Sequence, residues 1–225
     1  MVEREPLLML AGPVRIDPRV IQAMAQPSVG HRTEGFSEAL KEIRDLLRYA
    51  FDTPGPVGLL SGSGTAGLQS MLAGLLRADD RVLCLTNGKF GDRTFELASR
   101  YARADRLDFP WGRPVLVEAV REALEEGAYD AVTLCHNETS TGLTNPAEEV
   151  GRLASEAGLL YLLDGITSVA GLPVDIEGWG IDGVVLGSQK CLAAPAGLAA
   201  VALSDRGYGR LHEENAYYLN LKAHV

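Results

Sequence analysis

The sequence predicts a three-layer α/β/α domain built on a mostly parallel sheet. Three observations predict it. Short runs at 81–85, 131–135, 159–163, 183–186 and 198–203 are almost continuously apolar, as strands buried on both faces are. Segments with apolar residues at helical spacing alternate with these runs, which is the rhythm of βα units. Polar and glycine-rich stretches follow the runs directly, at the carboxyl ends where such sheets bind ligands.

Taken in order, residues 1–35 read as an amino-terminal arm, partly irregular. Ala11-Gly12-Pro13-Val14 and Asp17-Pro18 are turn chemistry, and a short helix fits 19–25. Residues 36–225 read as one large domain. Phe36, Leu40, Ile43, Leu47 and Ala50 give a helix over 36–51 with one buried stripe, which Thr53-Pro54-Gly55-Pro56 breaks. A strand at 57–60 leads into Ser61-Gly62-Ser63-Gly64-Thr65. The helix after it carries Leu68, Met71, Leu72, Leu75 and Leu76 on one face, and Ser63 and Thr65 suit its start. Asp79-Asp80 turns the chain into the strand at 81–85. Asn87-Gly88-Lys89-Phe90-Gly91 reads as a glycine-rich loop and 94–103 as a helix. Further helices fit 116–126 and 146–157, on either side of the strand at 131–135 and a polar loop at 136–145. The strand at 159–163 ends at Asp164, and strands at 183–186 and 198–203 complete the series.

Composition narrows the class. A chain of 225 residues that is 46% hydrophobic can bury a full α/β core. A net charge of −9 argues against a nucleic-acid or anionic-membrane partner. No apolar run has transmembrane length, and the first residues lack a signal-peptide core. Cys84, Cys135 and Cys191 are odd in number without metal-type spacing, which points to a reduced, cytoplasmic protein. The four histidines are scattered, so no metal site is expected.

The strand ends carry the candidate chemistry. Lys190 follows Gly187-Ser188-Gln189 at the rim of the sheet, where a low-dielectric surround makes an amine a usable nucleophile. Residues 61–67 have the composition of a phosphate cradle at a helix start. Gly62, Gly64 and Gly67 also match the dinucleotide fingerprint. The acidic residue which that fingerprint wants is absent from the end of the next strand, Leu85-Thr86-Asn87. A phosphate site, a dinucleotide site and a plain tight turn stay open at this point. Asp164, ending a buried strand, needs a cation or several donors; a protonated pyridine nitrogen would serve, and so would a salt bridge or a helix cap. Phe90 fits either a flat cofactor ring or the core. Residues 136–142 crowd hydrogen-bonding groups into one strand-end loop, and Cys191 reads as a small packed residue or a reactive thiol. A phosphate cradle, a carboxylate, an aromatic and a lysine together suit pyridoxal 5′-phosphate, which has a phosphate, a basic ring nitrogen, a flat ring and an aldehyde.

Five stretches in this order, Ser61-Gly-Ser-Gly-Thr65, Asn87-Gly-Lys-Phe-Gly-Asp-Arg93, His136-Asn-Glu-Thr-Ser-Thr-Gly142, Asp164-Gly-Ile-Thr-Ser168 and Gly187-Ser-Gln-Lys190, carry a resemblance. The chain resembles class V aminotransferases of the pyridoxal-phosphate fold type I superfamily, in particular the alanine/serine–glyoxylate and phosphonate aminotransferase group. The resemblance implies a Schiff base on Lys190 and a contact from Asp164 to the pyridinium nitrogen. It implies phosphate contacts from Ser63, Gly64, Thr65 and Gln189. It also implies that Phe90 and Ile166 stand on the two ring faces, Thr139 at the phenolic oxygen, and Gly12 near the substrate. The implied reaction moves the amino group of alanine or serine to a 2-oxo acid such as glyoxylate or pyruvate, in a homodimer with shared sites. The family's smaller carboxy-terminal domain, with its substrate-carboxylate arginine, is expected to be absent from this chain. Alternatives on the same residues are a lyase, racemase or desulfurase with the same cofactor, a split cofactor-binding subunit, and a dinucleotide-binding module.

Overall fold

The computed structural model describes residues 7–225. Helix α1, Pro18–Met24, is capped by the Asp17 side chain and has proline in its first turn, where no N–H is needed. Helix α2, Glu34–Phe51, is capped by Thr33. Of the expected stripe only Leu47 is buried, joined by Phe51 outside the stripe; Phe36, Leu40 and Ala50 are half-buried and Ile43 is 39% exposed. The amino-terminal half of α2 has no buried residue.

The chain then enters the sheet. Strand β1 is Val57–Ser61, α3 is Gly64–Leu75 and β2 is Arg81–Thr86. Helix α4 is Lys89–Ala98 and β3 is Arg103–Asp108. This corrects two expectations. Lys89, Phe90 and Gly91 are not loop but the first turn of α4, and Arg103 is not helical but opens a strand. Strand β3 reads Arg-Ala-Asp-Arg-Leu-Asp, with no apolar run, because it is the outermost strand of the sheet. Helix α5, Val117–Glu126, precedes β4, Ala131–Cys135. The expected polar loop contains a small hairpin, β5 Asn137–Glu138 against β6 Leu143–Thr144. Helix α6, Ala147–Glu156, leads to β7, Leu160–Asp164, then β8, Gly183–Gly187, and β9, Leu198–Leu203. Helix α7, Asp205–Arg210, and a 3₁₀ turn, Leu221–Ala223, follow.

The main sheet has seven strands in the order β1-β9-β8-β7-β4-β2-β3. The pairs β8–β7, β7–β4, β4–β2 and β2–β3 are parallel. Strand β9 is antiparallel to both neighbours, so it alone runs against the rest. Each strand feeds both layers. Tyr161 and Leu163 join a core with Val120 of α5 and Val150 of α6, while Leu160 and Leu162 join another with Leu68, Met71 and Leu72 of α3. Helix α3 lies close on the sheet because Gly67 has no side chain: a Cβ there would stand 2.8 Å from Ala199 Cβ and Val185 Cγ2. The amino-terminal end of α3 is thereby pinned above the ends of β8 and β9.

Candidate active site

The carboxyl ends of β1, β4, β7 and β8 surround a cleft with about 550 Å³ of empty space. Eight residues singled out from the sequence line it: Ser63, Gly64 and Thr65 on the first turn of α3, Phe90 on α4, Asp164 and Ile166 after β7, and Gln189 and Lys190 after β8. Thr139 sits half-buried in the β5–β6 turn and is not among the lining residues. Gly12 touches the site through the lysine, because Lys190 Nζ donates to the Gly12 carbonyl at 3.0 Å. The arm also donates from Val14 N to Gln189 O, at 3.3 Å. Gly12 has φ +143°, a region that glycine adopts readily, and a Cβ there would lie 2.4 Å from Lys190 Cδ.

The cradle is a helix start. Ser63 caps α3, its Oγ accepting from Ala66 N at 3.3 Å. The amides of Gly64 and Thr65 are first-turn N–H groups with no intrahelical acceptor, and the helix dipole favours an anion in front of them. Gln189 Oε1 is buried and has no hydrogen-bond partner among the described residues.

Asp164 is buried, 4% exposed. Its carboxylate accepts from Ile166 N at 3.0 Å and has no ion pair among the described residues. Its pKa is raised to about 6, chiefly by burial and also by the Glu138 charge, against the lowering effects of the Ile166 amide, Arg93 and Lys190. A carboxylate so placed calls for a cationic N–H from a ligand.

Four lining residues had no role in the sequence reading: Arg93, Cys135, Asn137 and Thr167. Arg93 donates to Thr65 Oγ1 at 3.2 Å, and its guanidinium lies 4.9 Å from the centre of the Phe90 ring. Phe90 and Arg93 are three apart on α4, so a helix read from Lys89 would have shown them on one face. Asn137 donates to the Thr167 carbonyl at 3.1 Å, and Thr167 Oγ1 donates back to the Asn137 carbonyl at 2.9 Å. These bonds tie the hairpin to the segment after β7. Burial pushes the Cys135 thiol well up, so it is a neutral wall of the cleft. Cys191 is exposed, which corrects its reading as a packed residue.

The residues present fit pyridoxal phosphate by their chemistry. A buried unpaired carboxylate matches a ring N–H⁺, a helix start with free amides matches a phosphate, and a lysine at the same cleft matches an aldehyde.

The chain is similar to known proteins along most of its length. A family model described as Aminotransferase class-V matches residues 8–214. An uncharacterized aminotransferase of Methanocaldococcus jannaschii is 39% identical over 225 residues, covering 97% of this chain and 58% of that protein. Aspartate aminotransferase of subgroup IV from Thermus thermophilus superposes with TM-score 0.89 at 38% identity, over 94% of this chain and 60% of that one. Alanine–glyoxylate aminotransferase from Nostoc sp. gives TM-score 0.92 at 35% identity, over 99% and 61%. The chain thus spans about three-fifths of the length of these relatives. With a class-V match over nearly its whole length and a relative above one-third identity, the chain belongs to the class-V aminotransferase family.

Proposed function

We propose that this chain binds pyridoxal 5′-phosphate through Lys190 and forms the cofactor-binding part of an aminotransferase. Its substrates would be a small amino acid, alanine or serine, and a 2-oxo acid such as glyoxylate or pyruvate. The observation that carries the reading is Asp164, a carboxylate buried at a strand end with one backbone donor and no ion pair among the described residues, in the same cleft as Lys190.

Asp164 would accept the ring N–H and hold the ring in its protonated form. Gly64 and Thr65 would donate amides to the phosphate, with Ser63 and Gln189 beside them. Phe90 and Ile166 would close on the two ring faces, and Thr139 would meet the phenolic oxygen if the hairpin turn moves inward. The bound cofactor supplies an electron sink for the carbanion that forms when the substrate Cα loses its proton. Lys190 Nζ is the basic group positioned to take that proton and return it. Gly12, whose carbonyl already contacts Lys190 Nζ, would line the substrate side.

We take residues 1–35 as an arm and 36–225 as the cofactor-binding domain. The exposed Leu7, Met9, Ile21 and Met24 of the arm support a homodimer with shared sites. Free Cys84, Cys135 and Cys191 support a cytoplasmic setting, and no helix among the described residues is long and apolar enough to cross a membrane.

The direct test is a titration with pyridoxal phosphate. The wild-type chain is expected to give the visible band of a lysine-bound cofactor, and Lys190→Ala to lose it. A band unchanged in that variant would sink the assignment. Product analysis with alanine or serine plus glyoxylate then separates transamination from lyase or racemase chemistry.

A further inference from the structure

The β5–β6 hairpin holds a carboxylate to which the proposed function gives no role. Glu138 is fully buried, 0% exposed, with no ion pair among the described residues. Its Oε2 accepts from Phe90 N and Gly91 N, both at 2.9 Å. Its Oε1 accepts from Ser140 N at 3.2 Å and from Ser140 Oγ at 2.5 Å. Ser140 Oγ accepts in turn from Lys89 N at 2.9 Å. The first three amides of α4 are therefore all satisfied by the hairpin.

The helix has no cap of its own: Gly88 stands at the cap position and offers no side chain. Its lack of a side chain is what admits the carboxylate, because a Cβ on Gly88 would lie 2.4 Å from Glu138 Cγ and 2.5 Å from Cδ. A buried charge with no cation is tolerated here because amides and the helix dipole compensate it.

We propose that Glu138 is a positioning residue: its carboxylate, reaching from the hairpin, fixes where α4 begins and thereby where the Phe90 ring stands in the cleft. The inference rests on the reading that Phe90 packs on the cofactor ring. It also places Thr139, the next residue in the chain, in register with Phe90. A glutamine at 138 keeps only one acceptor oxygen, so its NH₂ must face either the Phe90 and Gly91 amides or the Ser140 amide, and the brace between hairpin and helix start is weakened on one side.

The test is a double-mutant cycle on the full chain, with pyridoxal phosphate affinity read from the visible band and amide hydrogen exchange read without cofactor. Glu138→Gln is expected to speed exchange at Phe90 and Gly91 and to weaken cofactor binding about tenfold, the scale of one well-placed aromatic stack. In a Phe90→Ala background the same change is expected to cost less than about twofold, because the ring it positions is gone. Gly88→Ala, which pushes the carboxylate away while keeping it, is expected to reproduce the pattern; it decides the matter if Glu138→Gln does not fold. Equal losses in both backgrounds, or unchanged affinity, overturn the inference while leaving the function standing. A wild-type chain with no visible band overturns both.

Discussion

Asp164→Asn is predicted to stabilise the cofactor-free chain at pH 8 and to weaken cofactor binding. Burial raises the Asp164 carboxyl from 3.8 to about 6. The folded protein therefore holds this proton more tightly than the unfolded chain does. Stability from the protonated form is present below pH 3.8 and is lost as pH rises through about 6. At about 1.4 kcal/mol per pH unit, the ionised carboxylate costs about 3 kcal/mol at pH 8. Asparagine removes that cost and keeps the bond from Ile166 N through Oδ1, but its NH₂ lacks an acceptor, which returns about 1–2 kcal/mol. The net gain is about 1–2 kcal/mol, or about 3–6 °C in Tm for a chain of this size. Thermal unfolding of both proteins at pH 8 and pH 4 measures it, with the gain present at pH 8 and gone at pH 4. Saturating cofactor should reverse the order, since a ring N–H⁺ pairs far more strongly with a carboxylate than with an amide. A destabilised Asp164→Asn at pH 8, or an equal gain at both pH values, would refute the reasoning.

Other changes test other parts of the fold. His136 is buried edge-on to Trp179, at 5.6 Å between ring centroids, and burial lowers its pKa from 6.5 to about 4. Its contribution is present above pH 6.5 and is lost as pH falls toward 4, by up to about 3 kcal/mol. His136→Phe should therefore flatten the acid limb of urea unfolding between pH 7.5 and 4.5. Arg206→Ala strips the cation from Asp182, whose side chain is 3% exposed, leaving only neutral donors such as Tyr161 N and Ser204 Oγ. Because Arg206 is itself 46% exposed, the expected loss is about 1–2 kcal/mol in urea unfolding rather than that of a fully buried pair. Arg93→Ala cuts the tie to Thr65 and the support behind Phe90; it should weaken cofactor affinity about tenfold at unchanged Tm, as a paired titration and melt would report.

The interior strands were legible because both of their faces are covered: β4 and β9 are apolar at almost every position, and their bounds could be read directly. Strand β3 was illegible for the opposite reason. As the sheet edge it carries Arg103, Asp105, Arg106 and Asp108, and pairing with β2 rather than side-chain burial makes it a strand. The start of α4 was hidden by Gly88 and Gly91, which look like a loop until Glu138, nearly fifty residues away, is seen to cap it. Eight site residues share the cleft because each follows a strand whose carboxyl end points the same way, a rule that needs no tertiary knowledge. The inward reach of Arg93 and the hairpin's tie to Thr167 depend on packing between distant segments, which spacing along the chain does not encode.

The reversed strand β9 has a consequence for how the molecule assembles. In the sheet β1 pairs only with β9, Val57 with Ala202 and Ser61 with Leu198. During synthesis, Val57–Ser61 is made early yet has no partner until residue 203 has emerged. Its pairing closes one of the longest loops in the chain, the kind of non-local contact that slows folding and leaves an edge open meanwhile. Its far side is covered later still, when Leu59 N donates to His224 O at 3.2 Å. The helix start that lines the cleft hangs from this strand. Its placement therefore depends on a contact between distant parts of the chain rather than on local sequence.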